Sequence, residues 1–181
     1  MKRTVTVLGC VGVLVASQWV AAQAPQAPKP TAEHQRLGYF AGNWTGTGEM
    51  KPGPMGPGGN VVSKESCEWF EGRFALVCRS EMTTGGVPMK GVAIMSYSPD
   101  EKVYTYYGTD SMGMTMMAAA RGTLKGDTWA YTDESMMGGQ KMATRVTIKE
   151  ASPTSYTFSM EMAGPDGKFA PVMTTTNTKV K

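Results

Sequence analysis

The chain is short of histidine, cysteine, charge and long hydrophobic runs. One histidine, His34, occurs in 181 residues. A single imidazole cannot supply a catalytic triad together with a second acid–base partner, nor a multi-histidine metal site. Charged residues make up 18% and the formal net charge is +3, two of those charges being Lys2 and Arg3 at the extreme N-terminus. With so little basicity the usual electrostatic case for nucleic-acid binding falls away. No glycine loop of the G-x-x-x-x-G-K type is present to cradle a phosphate. The apolar stretch Val7–Ala16 is too short, and too soon interrupted by Ser17 and Gln18, to read as a membrane span.

The N-terminus carries a different signal. Two positive charges in Met1–Thr6, the apolar stretch, and the small or compact residues Val20-Ala21-Ala22 have the layout of a secretory signal peptide. Residues 1–22 are expected to be removed after Ala22, with Ala24 as the weaker alternative. Val7-Leu8-Gly9-Cys10 has the residue types of a lipidation site, but almost no apolar region precedes Cys10. Residues 23–30, QAPQAPKP, read as a Pro/Ala/Gln tether with no means of building a core. A single domain is expected over residues 31–181, in the periplasm or outside the cell, with no stable membrane span once the signal is gone.

Export changes the meaning of the cysteines. Of three, Cys10 leaves with the signal, and Cys67 and Cys78 remain in an oxidising compartment. Between them, Gly72-Arg73 reads as a type II′ hairpin turn. Counting outward, Phe70 faces Ala75, Trp69 faces Leu76 and Cys67 faces Cys78, so a disulfide is expected. A two-residue turn would make Cys67–Cys78 a hydrogen-bonded pair, the less comfortable site for a bridge, which a longer turn or bulge relieves.

The remainder alternates strand and turn. Thr31–Ala41 is the one helical candidate, with Thr31 as its cap. Ten strands are expected: Asn43–Met50, Val61–Phe70, Phe74–Met82, Pro88–Tyr97, Lys102–Thr109, Thr115–Leu124, Thr128–Asp133, Lys141–Lys149, Ser155–Ala163 and Phe169–Val180. Turn chemistry separates them at Pro99-Asp100, Lys125-Gly126-Asp127, Gly138-Gly139, Ser152-Pro153 and Gly164–Gly167. No helix of crossover length intervenes, which excludes a parallel sheet. So long an antiparallel meander avoids exposed edges by closing into an all-β, up-and-down barrel.

Glu33-His34-Gln35-Arg36-Leu37 with Gly42-Asn43-Trp44, Cys67-Glu68-Trp69-Phe70, Val77–Glu81, Tyr104–Gly108, Ala120–Thr123, Gly126–Trp129 and Ser152–Phe158, taken in this order, resemble a bacterial family known as domain of unknown function 1579. The resemblance covers about residues 31–180. It implies a lipocalin-like, calycin-type barrel and no particular biochemical role. Gly42-x-Trp44 is similar to the G-x-W entry of lipocalins, where the tryptophan plugs the closed end. Heme-binding barrels of this kind place a histidine inside, and none follows His34, which is expected to face solvent on the helix.

Methionine is the abundant residue, at 16. Met112, Met114, Met116 and Met117 form one cluster and Met136, Met137 and Met142 another, while Met160 and Met162 share a strand face. Thioethers can bind Cu(I), but with no histidine or free cysteine to reinforce them they read as adaptable core or pocket lining. Interior arginines hold ligand carboxylates in fatty-acid-binding barrels, so arginine parity matters. Arg145 shares a face with Lys141 and Lys149, opposite Met142, Val146 and Ile148, and points out. Arg79 also leans out. Arg121, in phase with Met117 and Ala119, is the best interior candidate. Tyr104 and Tyr106 share one face and Tyr107 takes the other.

These readings make Trp44, Tyr104, Tyr106, Met114, Met116, Arg121 and Met160 the expected ligand-binding residues, with no catalytic set, metal site or cofactor. The leading function is a non-catalytic exported barrel that binds a small apolar or amphipathic molecule, with no nucleic-acid partner and the oligomeric state open. The alternatives are an isomerase or hydrolase working in the cavity through Arg, Tyr and a carboxylate such as Asp110 or Glu68, and a structural module of the cell envelope with a filled barrel.

Overall fold

The computed structural model describes residues 27–137, 139–164 and 166–180; the expected signal peptide, its cleavage site and Cys10 lie outside the described residues. The described residues open with a short helix, α1 (Ala32–Arg36), set by a reciprocal cap. The Thr31 hydroxyl accepts from the His34 backbone N–H, and the Thr31 N–H donates to His34 Nδ1 at 3.1 Å. A 3₁₀ turn over Leu37–Tyr39 follows. Eleven strands come next: β1 (Gly42–Met50), β2 (Gly59–Trp69), β3 (Ala75–Thr84), β4 (Val87–Ser98), β5 (Val103–Asp110), β6 (Thr115–Met116), β7 (Ala120–Lys125), β8 (Thr128–Met137), β9 (Gln140–Ser152), β10 (Ser155–Ala163) and β11 (Phe169–Val180).

Apart from β6 and β7, each strand pairs antiparallel with its sequence neighbours, and β1 pairs with β11, so the sheet closes on itself. Strands β6 and β7 both lie between β5 and β8, sharing one position in the wall. The result is a ten-strand up-and-down barrel with one split strand. Alternation sorts the side chains: Trp44, Gly46 and Met50 are buried along β1, while Thr45, Thr47 and Glu49 are exposed.

Closure is achieved differently at the two ends. At one end α1 and the 3₁₀ turn fold under the barrel and bring Leu37 and Phe40 against Trp44, Leu76, Tyr104, Trp129 and Tyr156. Trp44 is 2% exposed and its indole N–H donates to the Phe40 carbonyl at 2.8 Å, so the expected plug is present. Arg36 donates to both oxygens of Glu150, at 2.5 and 2.6 Å, and Trp129 Nε1–H donates to the same carboxylate at 2.6 Å. The helix is thereby latched to β8 and β9. The opposite end carries the Gly/Pro segment between β1 and β2, from which Met55 reaches inward.

Two expectations are corrected here. His34 does not face solvent: it is 3% exposed and packs edge-on against Phe74 at 5.2 Å and Tyr97 at 5.6 Å between ring centroids. A five-residue helix pressed on a barrel end has no wet face at that position. The β2–β3 turn is also not type II′. Gly72 and Arg73 both take positive φ (81° and 60°) within a 3₁₀ turn over Glu71–Arg73. Phe70 N–H donates to the Ala75 carbonyl. That longer loop shifts the hydrogen-bonded phase by one pair, so Cys67 and Cys78 face each other at a non-hydrogen-bonded site with Cα atoms 4.0 Å apart, and they are bridged.

Candidate functional site

Between the aromatic plug and the loop end the barrel is hollow, with an internal cavity of about 310 Å3. This is the lower end of the range, about 300–1,000 Å3, typical of small-molecule sites. Small inward residues make the space. Gly91, Ala93, Gly108 and Ala120 all line it. On β1 a Cβ at Gly46 would fall 2.2 Å from Asn177 Oδ1 and 2.4 Å from Ser63 Oγ, so glycine is what lets those two polar groups approach across the strand. Tyr131 lies on Gly122 in the same way, with its ring carbons where a Cβ would be.

The lining divides by chemistry. Nine methionines contribute, among them Met55, Met82, Met89, Met114, Met160 and Met162 toward the loop end, while Met95 and Met116 lie against the plug cluster. Toward the plug lie Phe40, Ile148, Phe158, Cys78 and a polar group: Glu65, Tyr106, Tyr131, Tyr156 and Asn177. Asp133, Ser135 and Thr144 continue the polar lining on β8 and β9, and Asp110 sits at the end of β5. The Asp110 carboxylate accepts from the backbone N–H groups of Met112 and Met114, at 2.8 and 3.1 Å, and so orders the turn that carries Met114 inward.

Glu65 is the electrostatic centre of this floor. Burial in the barrel wall pushes its carboxyl up to about 6, and the Tyr156 hydroxyl against it offsets part of that rise. A carboxylate oxygen of Glu65 and the sulfurs of Cys67 and Cys78 lie within 4.8 Å of one another, but the sulfurs are bonded to each other and offer no thiolate to a metal. Burial raises the Tyr106 hydroxyl strongly, and the carboxylates of Glu65, Asp133 and Asp110 raise it further. Asp133 is itself raised by burial. The Tyr131 hydroxyl is buried with no hydrogen-bond partner among the described residues.

The expected site residues separate accordingly. Tyr106, Met114, Met116 and Met160 line the cavity. Trp44 and Tyr104 face inward but belong to the plug, where Tyr104 packs on Trp129 at 4.7 Å. Arg121 points outward, against expectation, and pairs with Glu101 at 2.9 Å. Its parity was counted from Met117, but the wall strand breaks between Met116 and Ala120, and the count restarts there with Ala120 and Gly122 inside. Arg79 and Arg145 are exposed, as expected, and Val146 and Ile148 face the cavity. Of the clustered methionines, Met112, Met117 and Met136 are exposed. Glu68 is exposed as well, which removes it from any cavity chemistry.

Glu65, Tyr131, Asp133 and Tyr156 are functional candidates that the sequence reading passed over. The signal for Glu65 was present: it lies two residues before Cys67, which the disulfide register places inside. Tyr131 and Asp133 are likewise in phase with the buried Trp129.

Fold and lining together define a closed antiparallel barrel with an internal small-molecule-sized site. Residues 29–179 match the family described as "Protein of unknown function (DUF1579)", and the chain belongs to that family. Among solved structures it is similar to Rv2717c from M. tuberculosis, at 11% identity and a TM-score of 0.61 over 84% of this chain and 100% of that one. It is similar also to the S-type phycobiliprotein lyase CPES from Guillardia theta, at 13% identity and a TM-score of 0.59 over 83% of this chain and 94% of that one. Likeness at such identities shows the fold alone. No curated protein matches the chain significantly.

Proposed function

We propose that this protein is an exported carrier or sensor that holds a small amphipathic molecule in its barrel without transforming it. The observation that carries the reading is the cavity itself: a space within the barrel, partly open to solvent, in which methionines supply a deformable apolar wall and one end supplies hydrogen-bonding groups. The Cys67–Cys78 bridge supports an oxidising compartment, the periplasm or the exterior, reached through the signal peptide expected at residues 1–22. Tyr106, Met114, Met116 and Met160 are the expected ligand-binding residues that remain, joined by Glu65 and Tyr156.

Titration with the neutral apolar fluorophore N-phenyl-1-naphthylamine tests the reading. Saturable fluorescence enhancement at one site is expected, and it should be lost in Ala93→Phe, which fills the cavity from a buried position on β4. Equal enhancement by both proteins would overturn it. Native mass spectrometry of protein purified from its own host would then identify the resident molecule.

Catalysis in the same cavity is the second reading, favoured by one observation. A carboxyl raised to about 6 can give or take a proton near neutrality, and Tyr156 stands against it.

A further inference from the structure

We propose that the cavity is built for a cationic amphiphile, with an ammonium group seated against Glu65 among Tyr106, Tyr131 and Tyr156 and its hydrocarbon part among the methionines. This rests on the reading of the barrel as a binding protein and names the chemistry of what it binds.

The charge census of the lining comes first. Glu65, Asp110 and Asp133 line the cavity, and among the described residues no lysine, arginine or histidine does. The arginines that could have reversed this sign all point outward: Arg79, Arg121 and Arg145 are exposed. A carboxylate ligand, of the kind an interior arginine would hold, therefore meets three like charges and no counter-charge. The three acids act on one place, because all of them bear on the Tyr106 hydroxyl.

The second observation is independent of charge. The Tyr131 residue is 4% exposed, its ring borders the cavity, and its buried hydroxyl has no hydrogen-bond partner among the described residues. Buried hydroxyls are rarely left so; this one is sealed from the cavity by its surroundings, and a polar guest would meet it after a small shift of the ring. Tyrosine rings add favourable faces for a cation: Tyr106 and Tyr131 stand 6.4 Å apart between centroids on adjoining parts of the wall. Glu65 completes the set. Within the protein it is met by a tyrosine hydroxyl rather than by a cation. A half-buried carboxylate so placed is unfavourable alone and becomes favourable when a positive group enters.

Apolar bulk at the other side fixes the rest of the molecule. Met82, Met89, Met114 and Met160 offer thioether surface with no charge and no fixed shape. The matched requirement is one positive head and a compact hydrocarbon body.

Isothermal titration of the full chain with decylamine, decanol and decanoate, each below its self-association concentration at pH 7.5, separates the possibilities. Decylamine should bind at least tenfold more tightly than decanol, and decanoate at least tenfold more weakly. In Glu65→Gln, checked for folding by near-ultraviolet circular dichroism, decylamine should fall to within about threefold of decanol. Asp133→Asn should narrow the same gap by a smaller factor, and it keeps the test open should Glu65→Gln not fold. Decanoate binding as tightly as decylamine would overturn the proposal, as would a preference for decylamine that survives in both variants. Equal binding of decylamine and decanol would overturn the head-group assignment while leaving the cavity reading intact. No binding of any of the three would overturn both.

Discussion

The two ends of the barrel are both apolar, yet they are built from different materials. The closed end uses rings and fixed partners. Trp44, Phe40, Trp129, Tyr104 and Tyr156 meet edge to face or tilted, at 4.7 to 5.8 Å between centroids, and each indole N–H has one acceptor. The other end uses methionines, which have three flexible torsions and no directional demand. Rings with partners specify one geometry, whereas thioethers accept many. The comparison assigns rigidity and fold specification to the plug, and adaptability to the end where a guest would lie. Between them sits Glu65, a carboxyl that burial holds above its ordinary range, so that its charged form weakens the fold.

Substitutions sharpen this contrast. The largest effect is expected at Trp44: Trp44→Ala removes a buried ring and its hydrogen bond and should cost about 3–5 kcal/mol in urea unfolding. Stability equal to wild type would show that the plug does not hold the barrel. Glu65→Gln should act in the other direction. Its folded carboxyl is raised to about 6 from its ordinary value of 4.5, so the folded state holds its proton more tightly than the unfolded chain does. Stability is then lost as pH rises from about 4.5 through 6, by about 2 kcal/mol in all. The glutamine variant should be more stable than wild type by about that amount at pH 8, with the gain gone at pH 4. The groups around Glu65, namely Tyr106 and Tyr156, stay neutral throughout that range, because both phenols are pushed up by burial. A gain that does not change with pH would place its cause elsewhere.

Smaller effects are expected from His34→Ala, which removes part of the Thr31 cap and two edge-on contacts and should cost about 1–2 kcal/mol. Met160→Leu, nearly volume-conserving at the adaptable end, should cost less than about 1.5 kcal/mol. Urea denaturation measures both. A Met160→Leu loss exceeding that of His34→Ala would contradict the division between the two ends.

Much of the fold was legible because its signals are local. Turn residues marked the strand ends, the absence of a long helix forced an antiparallel meander, and counting back from one turn paired Cys67 with Cys78. Face assignments held wherever the strand was continuous: Val146 and Ile148 inside against Arg145 outside, and Tyr106 inside against Tyr107 outside. They failed at Arg121, where a break in the wall resets the phase without leaving a glycine or proline to announce it. His34 was missed for another reason. Its burial depends on the barrel end closing over a helix of little more than one turn, a long-range fact with no local periodicity. Glu65 was hidden by habit: a charged residue in a strand is ordinarily a solvated one. Only its phase with Cys67 and its place in a closed barrel put it inside.

The most direct measurement labels the methionine methyl groups with carbon-13 and follows them, with the tryptophan indole N–H signals, as N-phenyl-1-naphthylamine is added. The methyls of Met82, Met114 and Met160 are expected to shift in a saturable way, while the indoles of Trp44 and Trp129 and the methyls of exposed Met112 and Met117 stay in place. Movement of the two indoles, or of the exposed methyls alone, with the cavity methyls unchanged would contradict a guest held at the methionine end over a rigid plug.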